Sequence, residues 1–183
     1  MQLASLAALR SNCMKRSVGC VLVRGKRVIS TGYNGTPRGM KNCNDGGCKR
    51  CNASMRSGVG LDTCLCLHAE ENALLEAGRD RVGEGATLYC NTCPCLTCSV
   101  KISQIGISEV VYSNAYSLDT AAQAIFDEAG VRLRQFYPVR RTVCNASVLW
   151  LTFVQPKEGL IDLNPKHDLP VRELQFNGSL SLG

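Results

Sequence analysis

The chain has 183 residues, which is enough for a single domain whose hydrophobic core needs no disulfide bonds. With 45% hydrophobic and 20% charged residues, its composition is that of a soluble globular protein, and no apolar run is long enough to cross a bilayer. Because the first residues show no signal-peptide pattern either, we expect a protein of the cytoplasm or the nucleus, not a membrane-spanning or secreted one.

The net charge of +6 is concentrated at the N-terminal end. Residues 1–56 contain eleven Lys or Arg side chains and one acid, Asp45, whereas residues 57–137 contain five basic and ten acidic side chains. Such an excess of cations favours binding of phosphate groups, on a nucleotide or on a nucleic acid. A solvated basic surface without a ligand is the alternative.

Strand and helix patterns alternate along the first 137 residues. The segments 18–23 and 27–33 read as two strands separated by Gly25-Lys26, which predicts a β-hairpin. Residues 34–67 are rich in cysteine and turn residues and have little periodicity, so we expect a loop. The elements that follow are, in order, a helix that begins near residue 69 and stops at Gly78, a strand at 86–91, a helix at 94–104, a strand at 109–113, a helix at 120–129 and a strand at 132–136.

This alternation predicts the fold class and the domain boundary. Strands joined by crossover helices form a layered α/β fold, with a sheet that is mostly parallel beyond the first hairpin. After residue 137 the patterns weaken: the segment 148–154 resembles a further strand, and 156–183 has scattered Pro and Gly residues. We therefore predict one domain over residues 1–137 and a weakly ordered C-terminal extension of unknown role over 138–183.

Twelve cysteines are unusual for a protein of a reducing compartment, where disulfide bonds are rare, and they point to metal binding or catalysis. A buried thiol acting as a small hydrophobe is a sufficient interpretation for isolated positions such as Cys20, Cys90 and Cys144. It does not account for the pairs Cys48-x-x-Cys51 and Cys95-x-x-Cys98. Eleven of the twelve fall at or before Cys98, at positions 13, 20, 43, 48, 51, 64, 66, 90, 93, 95 and 98.

One set of residues has the composition of a catalytic zinc site. His68 precedes the helix that starts near residue 69, and Cys95 and Cys98 follow Pro94 at the start of the next helix. Catalytic zinc takes three protein ligands and leaves its fourth position to water. The N-terminal end of a helix stabilises thiolates, and two neighbouring helices would bring the three side chains to one ion. The sequence therefore predicts His68, Cys95 and Cys98 as zinc ligands.

Glu70 lies two residues after His68 and is predicted to transfer protons, without binding the metal itself. Zinc lowers the pKa of a bound water from about 15.7 towards about 7. Two thiolate ligands weaken that effect, which makes a nearby carboxylate base more useful. An H-x-E motif followed by P-C-x-x-C is the signature of zinc-dependent nucleobase deaminases, in which the Glu is the general acid and base.

Beyond these ligands, the chain resembles the deoxycytidylate (dCMP) deaminase family over residues 3–137. The stretches that carry the resemblance are "SVGCVLV", "ISTGYNGTPRG", "LHAEENALLEAGR", "TLYCNTCPCLTCSVKISQIGISEVVY" and "FDEAGVRLRQF". "GYNGTP" is the most discriminating, because it differs from the loops of cytidine and tRNA-adenosine deaminases.

The resemblance implies a three-layer α/β/α sandwich of the cytidine deaminase-like fold with a mixed five-stranded sheet. It further implies zinc-dependent hydrolysis of dCMP to dUMP and ammonia, which supplies dUMP for thymidylate synthesis, and assembly into a homohexamer. Members of the family are activated by dCTP and inhibited by dTTP, and Mg²⁺ is expected to accompany the nucleotide effector.

Residue roles follow from the same resemblance. His68, Cys95 and Cys98 match the zinc ligands of the family, and Glu70 matches its proton shuttle. Residues 32–39 form a loop whose glycines let backbone approach a ligand and whose cations suit a triphosphate; a tight turn with solvated cations is the alternative. The positions expected to bind substrate or effector are Asn34, Gly35, Arg38, Ala69 and Tyr116. An ordinary loop tyrosine is the alternative for Tyr116.

A second, structural zinc site is expected from the remaining cysteines, as in some members of the family. Its candidate ligands are Cys13, Cys43, Cys48, Cys51 and Cys66, with Cys64 as a substitute for a neighbouring ligand. A closed four-coordinate site would tie the loop 34–67 to the first helix and to the helix after His68, and would replace the hydrophobic core that this loop lacks.

Two other functions agree with parts of the sequence. A deaminase that acts on free cytidine or on a base within nucleic acid would share every catalytic residue, and the basic N-terminal segment allows it. A zinc module that binds nucleic acid without catalysis would account for the cysteines and the charge, but it would leave Glu70 without a role.

Overall fold

The computed structural model describes residues 1–56, 59–115 and 119–137. In that part of the chain, five strands form one sheet: β1 (Gly19–Arg24), β2 (Arg27–Tyr33), β3 (Thr87–Thr92), β4 (Glu109–Asn114) and β5 (Arg132–Gln135). Their order is β2-β1-β3-β4-β5. β1 pairs antiparallel with β2 and with β3, whereas β3, β4 and β5 are parallel. The predicted mixed five-stranded sheet is therefore confirmed.

The helices of the described residues lie between these strands and before them. They are α1 (Gln2–Ala8), α2 (Lys49–Asn52), α3 (Ala69–Ala77), α4 (Arg79–Val82), α5 (Leu96–Ile105) and α6 (Asp119–Glu128). None of the helices in the described ranges is long and apolar enough to span a membrane.

The predicted hairpin closes through a two-residue turn. Arg24 pairs with Arg27, and the turn residues Gly25 and Lys26 have φ angles of 56° and 65°. Positive φ at both positions is the type I′ turn, whose twist matches that of the flanking strands. Lys26 adopts the left-handed conformation although it is not glycine, since the tight connection demands it.

Two glycines show on which face of the sheet each helix lies. Gly19 in β1 approaches α1 so closely that a Cβ atom would lie 2.1 Å from the carbonyl oxygen of Ala4. Gly32 in β2 approaches α3 in the same way, with a Cβ atom 2.1 Å from the carbonyl oxygen of Ala69. Gly32 pairs with Cys20, the neighbour of Gly19, and adjacent strand residues point to opposite faces. α1 and α3 therefore lie on opposite faces, as the three-layer prediction requires.

The main core lies between the sheet and the layer formed by α3, α5 and α6. Cys20 and Cys90 face each other there on paired strands, so the interpretation of these two as small buried hydrophobes is confirmed. Among the large side chains with no exposed surface in this core are Phe126, Leu22, Leu88, Ile102 and Val110.

The structure adds helices that the sequence pattern does not reveal. α1 precedes the first element read from the sequence pattern and is the first helix that the family resemblance implies. Its buried residues are Ala4 and Ala8, while its leucines are exposed, so the apolar stripe is too weak to detect. α2 lies within the segment predicted to be a loop. α5 begins at Leu96, two residues later than predicted, with Cys95 as its N-cap. The predictions at Tyr116, at Cys144, for a strand at 148–154 and for the C-terminal extension fall outside the described residues.

Candidate active site

The N-terminal ends of α3 and α5 bring three potential metal ligands together. His68 is the N-cap of α3, Cys95 is the N-cap of α5, and Cys98 lies in the first turn of α5. The Nδ1 atom of His68 is 3.4 Å from the sulfur of Cys95 and 3.3 Å from the sulfur of Cys98. These are the three ligands predicted from the sequence. They lie at the N-terminal ends of two helices that belong to the same layer.

The spacing of these atoms fits a tetrahedral zinc ion. Zinc binds imidazole nitrogen at about 2.0–2.1 Å and thiolate sulfur at about 2.3 Å, which places nitrogen and sulfur ligands about 3.5 Å apart. The observed distances from His68 are within a few tenths of an ångström of that value. Two sulfurs and one nitrogen leave the fourth position for water or substrate, as in a catalytic site.

Hydrogen bonds among the three side chains set their protonation. The bond with Cys95 raises the pKa of His68 to about 9, and the bond with Cys98 lowers the pKa of Cys95 to about 3. The same bond raises the pKa of Cys98 well above that of a free thiol. The three side chains thus share protons through these hydrogen bonds. Because zinc binds deprotonated ligands, its binding releases those protons.

The carboxyl group of Glu70 is buried beside these ligands, in the first turn of α3, and the residue is 4% exposed. Burial raises the pKa of Glu70 to about 7, although the positive charge of His68 opposes the rise. A carboxyl group with a pKa near neutrality can both take up a proton and return it, which is the requirement for a residue that serves as base and then as acid.

Glu71 connects the two helices that carry the ligands. Its Oε2 atom accepts a hydrogen bond of 3.2 Å from the backbone N–H of His68, which caps α3, and its Oε1 atom pairs with Lys101 of α5. Although burial opposes ionisation, the bond with Lys101 lowers the pKa of Glu71. Glu71 was not among the residues predicted from the sequence, although a Glu three positions after an N-cap is a known capping signal.

A short β-bridge fixes the backbone just before His68. The N–H of Gly35 donates to the carbonyl of Leu67 at 3.2 Å, and the N–H of Leu67 donates to the carbonyl of Gly35 at 2.9 Å. A side chain at Gly35 would meet Asn12, whose Oδ1 atom lies 2.6 Å from the position of a Cβ. The glycine-containing loop predicted to touch nucleotide therefore also holds the segment that presents the metal ligand.

Asn34 uses its side chain inside the protein. Its Oδ1 atom accepts hydrogen bonds from the hydroxyl of Ser11 at 2.7 Å and from the N–H of Val18 at 2.8 Å. Its Nδ2 atom donates to the carbonyl of Arg16 at 2.8 Å. Asn34 thus fastens the end of β2 to the segment that precedes β1.

The other predicted nucleotide-binding residues differ in their exposure. Ala69 is fully buried at the start of α3, between His68 and Glu70, where its close contact with Gly32 sets the height of the helix above the sheet. Arg38 is exposed in the loop after Pro37. Tyr116 lies outside the described residues.

A second group of cysteines forms its own cluster. All five predicted ligands of a structural zinc are brought together, and Cys64 joins them as a full member. Although burial opposes ionisation, backbone N–H groups of Cys51 and Leu65 lower the pKa of Cys48 to about 6. The cluster contains Cys13, Cys43, Cys48, Cys51, Cys64 and Cys66. Cys64 was predicted only as a substitute ligand, because spacing alone does not tell which of two nearby thiols faces the cluster.

Comparison with known proteins identifies the family. Residues 1–114 match the family model described as the cytidine and deoxycytidylate deaminase zinc-binding region. The chain belongs to this family. The match contains both helix ends of the candidate active site and all six members of the cysteine cluster, so the geometry above is that of a deaminase-family domain.

Relatives within the family share much of the sequence. A protein of Schizosaccharomyces pombe named deoxycytidylate deaminase is 67% identical over 143 residues, which are 78% of this chain and 44% of the relative. Its namesake from Saccharomyces cerevisiae is 68% identical over 136 residues, or 74% of this chain and 43% of the relative. The chain therefore spans less than half the length of these two curated relatives.

A solved structure supports the same assignment. The dCMP deaminase of cyanophage S-TIM5, crystallised in complex with dCMP and dUMP, is 29% identical, with a TM-score of 0.59 over 74% of this chain and 92% of that one. An α/β fold of the cytidine deaminase type is thus shared across this evolutionary distance.

Proposed function

We propose that residues 1–137 are the catalytic domain of a dCMP deaminase, which hydrolyses dCMP to dUMP and ammonia and supplies dUMP for thymidylate synthesis in the cytoplasm or the nucleus. The observation that carries this proposal is the buried carboxyl group of Glu70 directly beside His68, Cys95 and Cys98. A metal site without catalysis has no need to bury a carboxyl group there. The names of the yeast relatives support dCMP as the substrate.

His68, Cys95 and Cys98 would hold the zinc ion, which when bound acts as a Lewis acid and makes a water molecule acidic at neutral pH. Glu70 accepts the proton of the attacking water and delivers it to ring nitrogen 3 of the cytosine as carbon 4 becomes tetrahedral. Glu70 next removes the remaining proton from the hydroxyl group on carbon 4 and passes it to the amino group. The carbon–nitrogen bond then breaks as the carbonyl forms, so ammonia leaves and uracil remains. One carboxyl group thus works as base and as acid, as its pKa near neutrality favours.

The decisive experiment measures ammonia release from dCMP, deoxycytidine and a cytosine-containing oligonucleotide. We expect turnover of dCMP and little of the other two. Glu70→Gln should lower kcat by about 10²–10⁴-fold while zinc stays bound, because the amide cannot exchange protons. Glu76→Gln is the matched control, since this exposed carboxyl group lies on the same helix. Normal turnover by Glu70→Gln, or preference for deoxycytidine or the oligonucleotide, would contradict the proposal.

Regulation by dCTP and dTTP, accompanied by Mg²⁺, is proposed at the loop 32–39, and the proposed assembly is a homohexamer. Arg38 is exposed in this loop and Lys41 is exposed two residues after its end, and cations next to a glycine-rich backbone suit a triphosphate. An effector changes activity only if it binds two states with different affinity. Arg38→Ala combined with Lys41→Ala should therefore flatten the response to both nucleotides, whereas the exposed Arg79→Ala should not. The molecular mass of the assembly should be measured for each variant in the same experiment. If the double variant keeps the response of the parent to both nucleotides, the effector site lies elsewhere.

The cysteine cluster is proposed to be a structural metal site that organises residues 34–67. Apart from two short 3₁₀ turns and the four residues of α2, this segment has little regular structure among its described residues. Structural zinc contributes its binding energy directly to folding, which such a segment requires.

A further inference from the structure

The six cysteines of the cluster form two overlapping sets of four. One set consists of Cys13, Cys43, Cys51 and Cys66, and the other consists of Cys48, Cys51, Cys64 and Cys66. Within each set all sulfur atoms lie within 4.8 Å of one another. Cys51 and Cys66 belong to both sets, and the remaining four cysteines divide evenly between them.

Four sulfur–sulfur distances within the cluster are close to the edge of a zinc–thiolate tetrahedron. At a Zn–S distance of about 2.3 Å, two sulfurs on one tetrahedral ion are about 3.8 Å apart. The sulfur of Cys51 is 3.8 Å from Cys13, 3.6 Å from Cys64 and 3.8 Å from Cys66. Cys48 and Cys64 are 3.9 Å apart. A disulfide bond has a length of about 2.05 Å, so none of these pairs is bonded to each other and all of these thiols are free to bind metal.

We propose that the cluster binds two zinc ions that share the thiolates of Cys51 and Cys66, one ion for each of the two sets. Cys13 and Cys43 complete the coordination of the first ion. Cys48 and Cys64 complete that of the second. Each ion then has four sulfur ligands, two of its own and two shared, and both sites are closed.

Hydrogen bonds distinguish terminal from shared sulfurs. The N–H of Met14 donates to the sulfur of Cys43 at 3.4 Å, and the N–H of Leu65 donates to the sulfur of Cys48 at 3.4 Å. Both acceptors are terminal ligands, one in each set. A terminal thiolate keeps lone pairs for such donors, whereas a shared thiolate uses two of them on metal. The donors that orient the ligands are therefore placed where a two-ion cluster needs them.

A single ion would leave two cysteines of the cluster without a ligand role. Among the described residues, the buried members of the cluster are cysteines alone, with partly buried Cys13 and Cys64 against them and no aliphatic or aromatic side chain. With one ion in the first set, Cys48 would remain as a free thiol with no exposed surface, although its sulfur accepts a backbone N–H. The second ion gives both Cys48 and Cys64 a ligand role.

Charge also favours the two-ion cluster. Six thiolates and two divalent ions carry a net charge of about −2. The flanking segments are basic: Lys49 and Arg50 lie between the paired Cys48 and Cys51, and Lys15 lies two residues after Cys13. Arg50 is itself buried, and its Nε atom donates to the neutral carbonyl of Val59. An anionic cluster beside it offsets the cost of burying that cation.

The test is the zinc content of the intact chain, measured by native mass spectrometry after purification in reducing buffer without chelator. The parent should carry about three zinc ions per chain, one at His68, Cys95 and Cys98 and two in the cluster. His68→Ala should lose only the first of these. Cys48→Ala combined with Cys64→Ala should also lose one, because the first set of four remains complete. The matched control is Cys90→Ala, a buried cysteine of the main core, which should lose none.

A His68→Ala variant with about one zinc ion per chain would overturn the proposal, since one ion in the cluster is then enough. So would a Cys48/Cys64 double variant that retains the full zinc content of the parent. If that variant does not fold, ¹¹³Cd NMR of the cadmium-substituted parent decides, because two cadmium nuclei that share a thiolate are coupled through it. Coupled resonances support the shared ligands, and cluster resonances without coupling refute them. Neither measurement depends on deaminase activity, so this proposal can fail while the proposed function stands.

Discussion

Gly32→Ala is expected to damage both stability and catalysis, because this glycine sets the distance between β2 and α3. A Cβ atom at position 32 would lie 2.1 Å from the carbonyl oxygen of Ala69 and 2.5 Å from the backbone nitrogen of Ala73. Both are backbone atoms and cannot rotate away, so α3 must move outward by about 1 Å to restore ordinary contact. Overpacking of this kind costs about 1–3 kcal/mol, and the melting temperature should fall by several degrees.

The same displacement carries His68 and Glu70 away from Cys95 and Cys98. An error of about 1 Å in the placement of reacting groups lowers the rate about 10²-fold, and we expect a loss of that size in kcat. The assays are thermal unfolding and ammonia release from dCMP at a temperature where the variant remains folded. A Gly32→Ala variant with the stability and turnover of the parent would show that α3 is not held by this contact.

Gly19→Ala provides the matched control. A Cβ atom at Gly19 would lie 2.1 Å from the carbonyl oxygen of Ala4 in α1, on the opposite face of the sheet. The variant should lose a similar amount of stability, about 1–3 kcal/mol, but the folded fraction should keep its kcat. An equal loss of kcat in both variants would mean that general destabilisation, not displacement of α3, causes the effect.

The contacts around the site also predict the effects of two substitutions and of metal removal. Asn34→Ala should destabilise the domain by about 1–3 kcal/mol, since the N–H of Val18 and the carbonyl of Arg16 lose their hydrogen-bond partner. Unfolding by denaturant measures this loss, and an unchanged unfolding midpoint would contradict the prediction. Lys101→Ala should lower the free energy of unfolding by less than about 1 kcal/mol, because the Lys101 side chain in the pair with Glu71 is half exposed to solvent. A larger loss would show that this ion pair contributes more to stability than an exposed pair does. Prolonged chelation under reducing conditions should abolish turnover and lower the melting temperature, and re-addition of zinc should restore both. If the melting temperature of the chelated protein is unchanged, metal does not support the fold.

Most of the sheet could be predicted from the sequence, because its strands combine short apolar runs with clear breaks. The hairpin is the sharpest example: Gly25-Lys26 between two β-rich segments has one simple solution, and the φ angles of both residues confirm it. α1 could not be predicted in this way. Its packing depends on Ala4 and Ala8 meeting a glycine of β1, and a contact between a small helix residue and a glycine leaves no periodic signal.

The grouping of the candidate metal ligands could be predicted, because a histidine, a glutamate and two cysteines at helix starts form a combination that is rare outside metal sites. Contacts between distant segments could not be predicted. Asn34 was expected to face a ligand, but which partners its amide meets depends on where Ser11 and Val18 come to lie after folding. The role of Glu71 depends on Lys101, which is thirty residues away on a helix that only the fold brings near.

The bridge between Gly35 and Leu67 has a consequence for the way this domain can change in evolution. The residues between Gly35 and Leu67 form a segment closed at its base by the two hydrogen bonds of the bridge. His68 follows directly after the bridge. Because the bridge fixes the backbone at this point, we expect the position of His68 to tolerate changes in the length of the enclosed segment between its cysteines, as long as the bridge reforms.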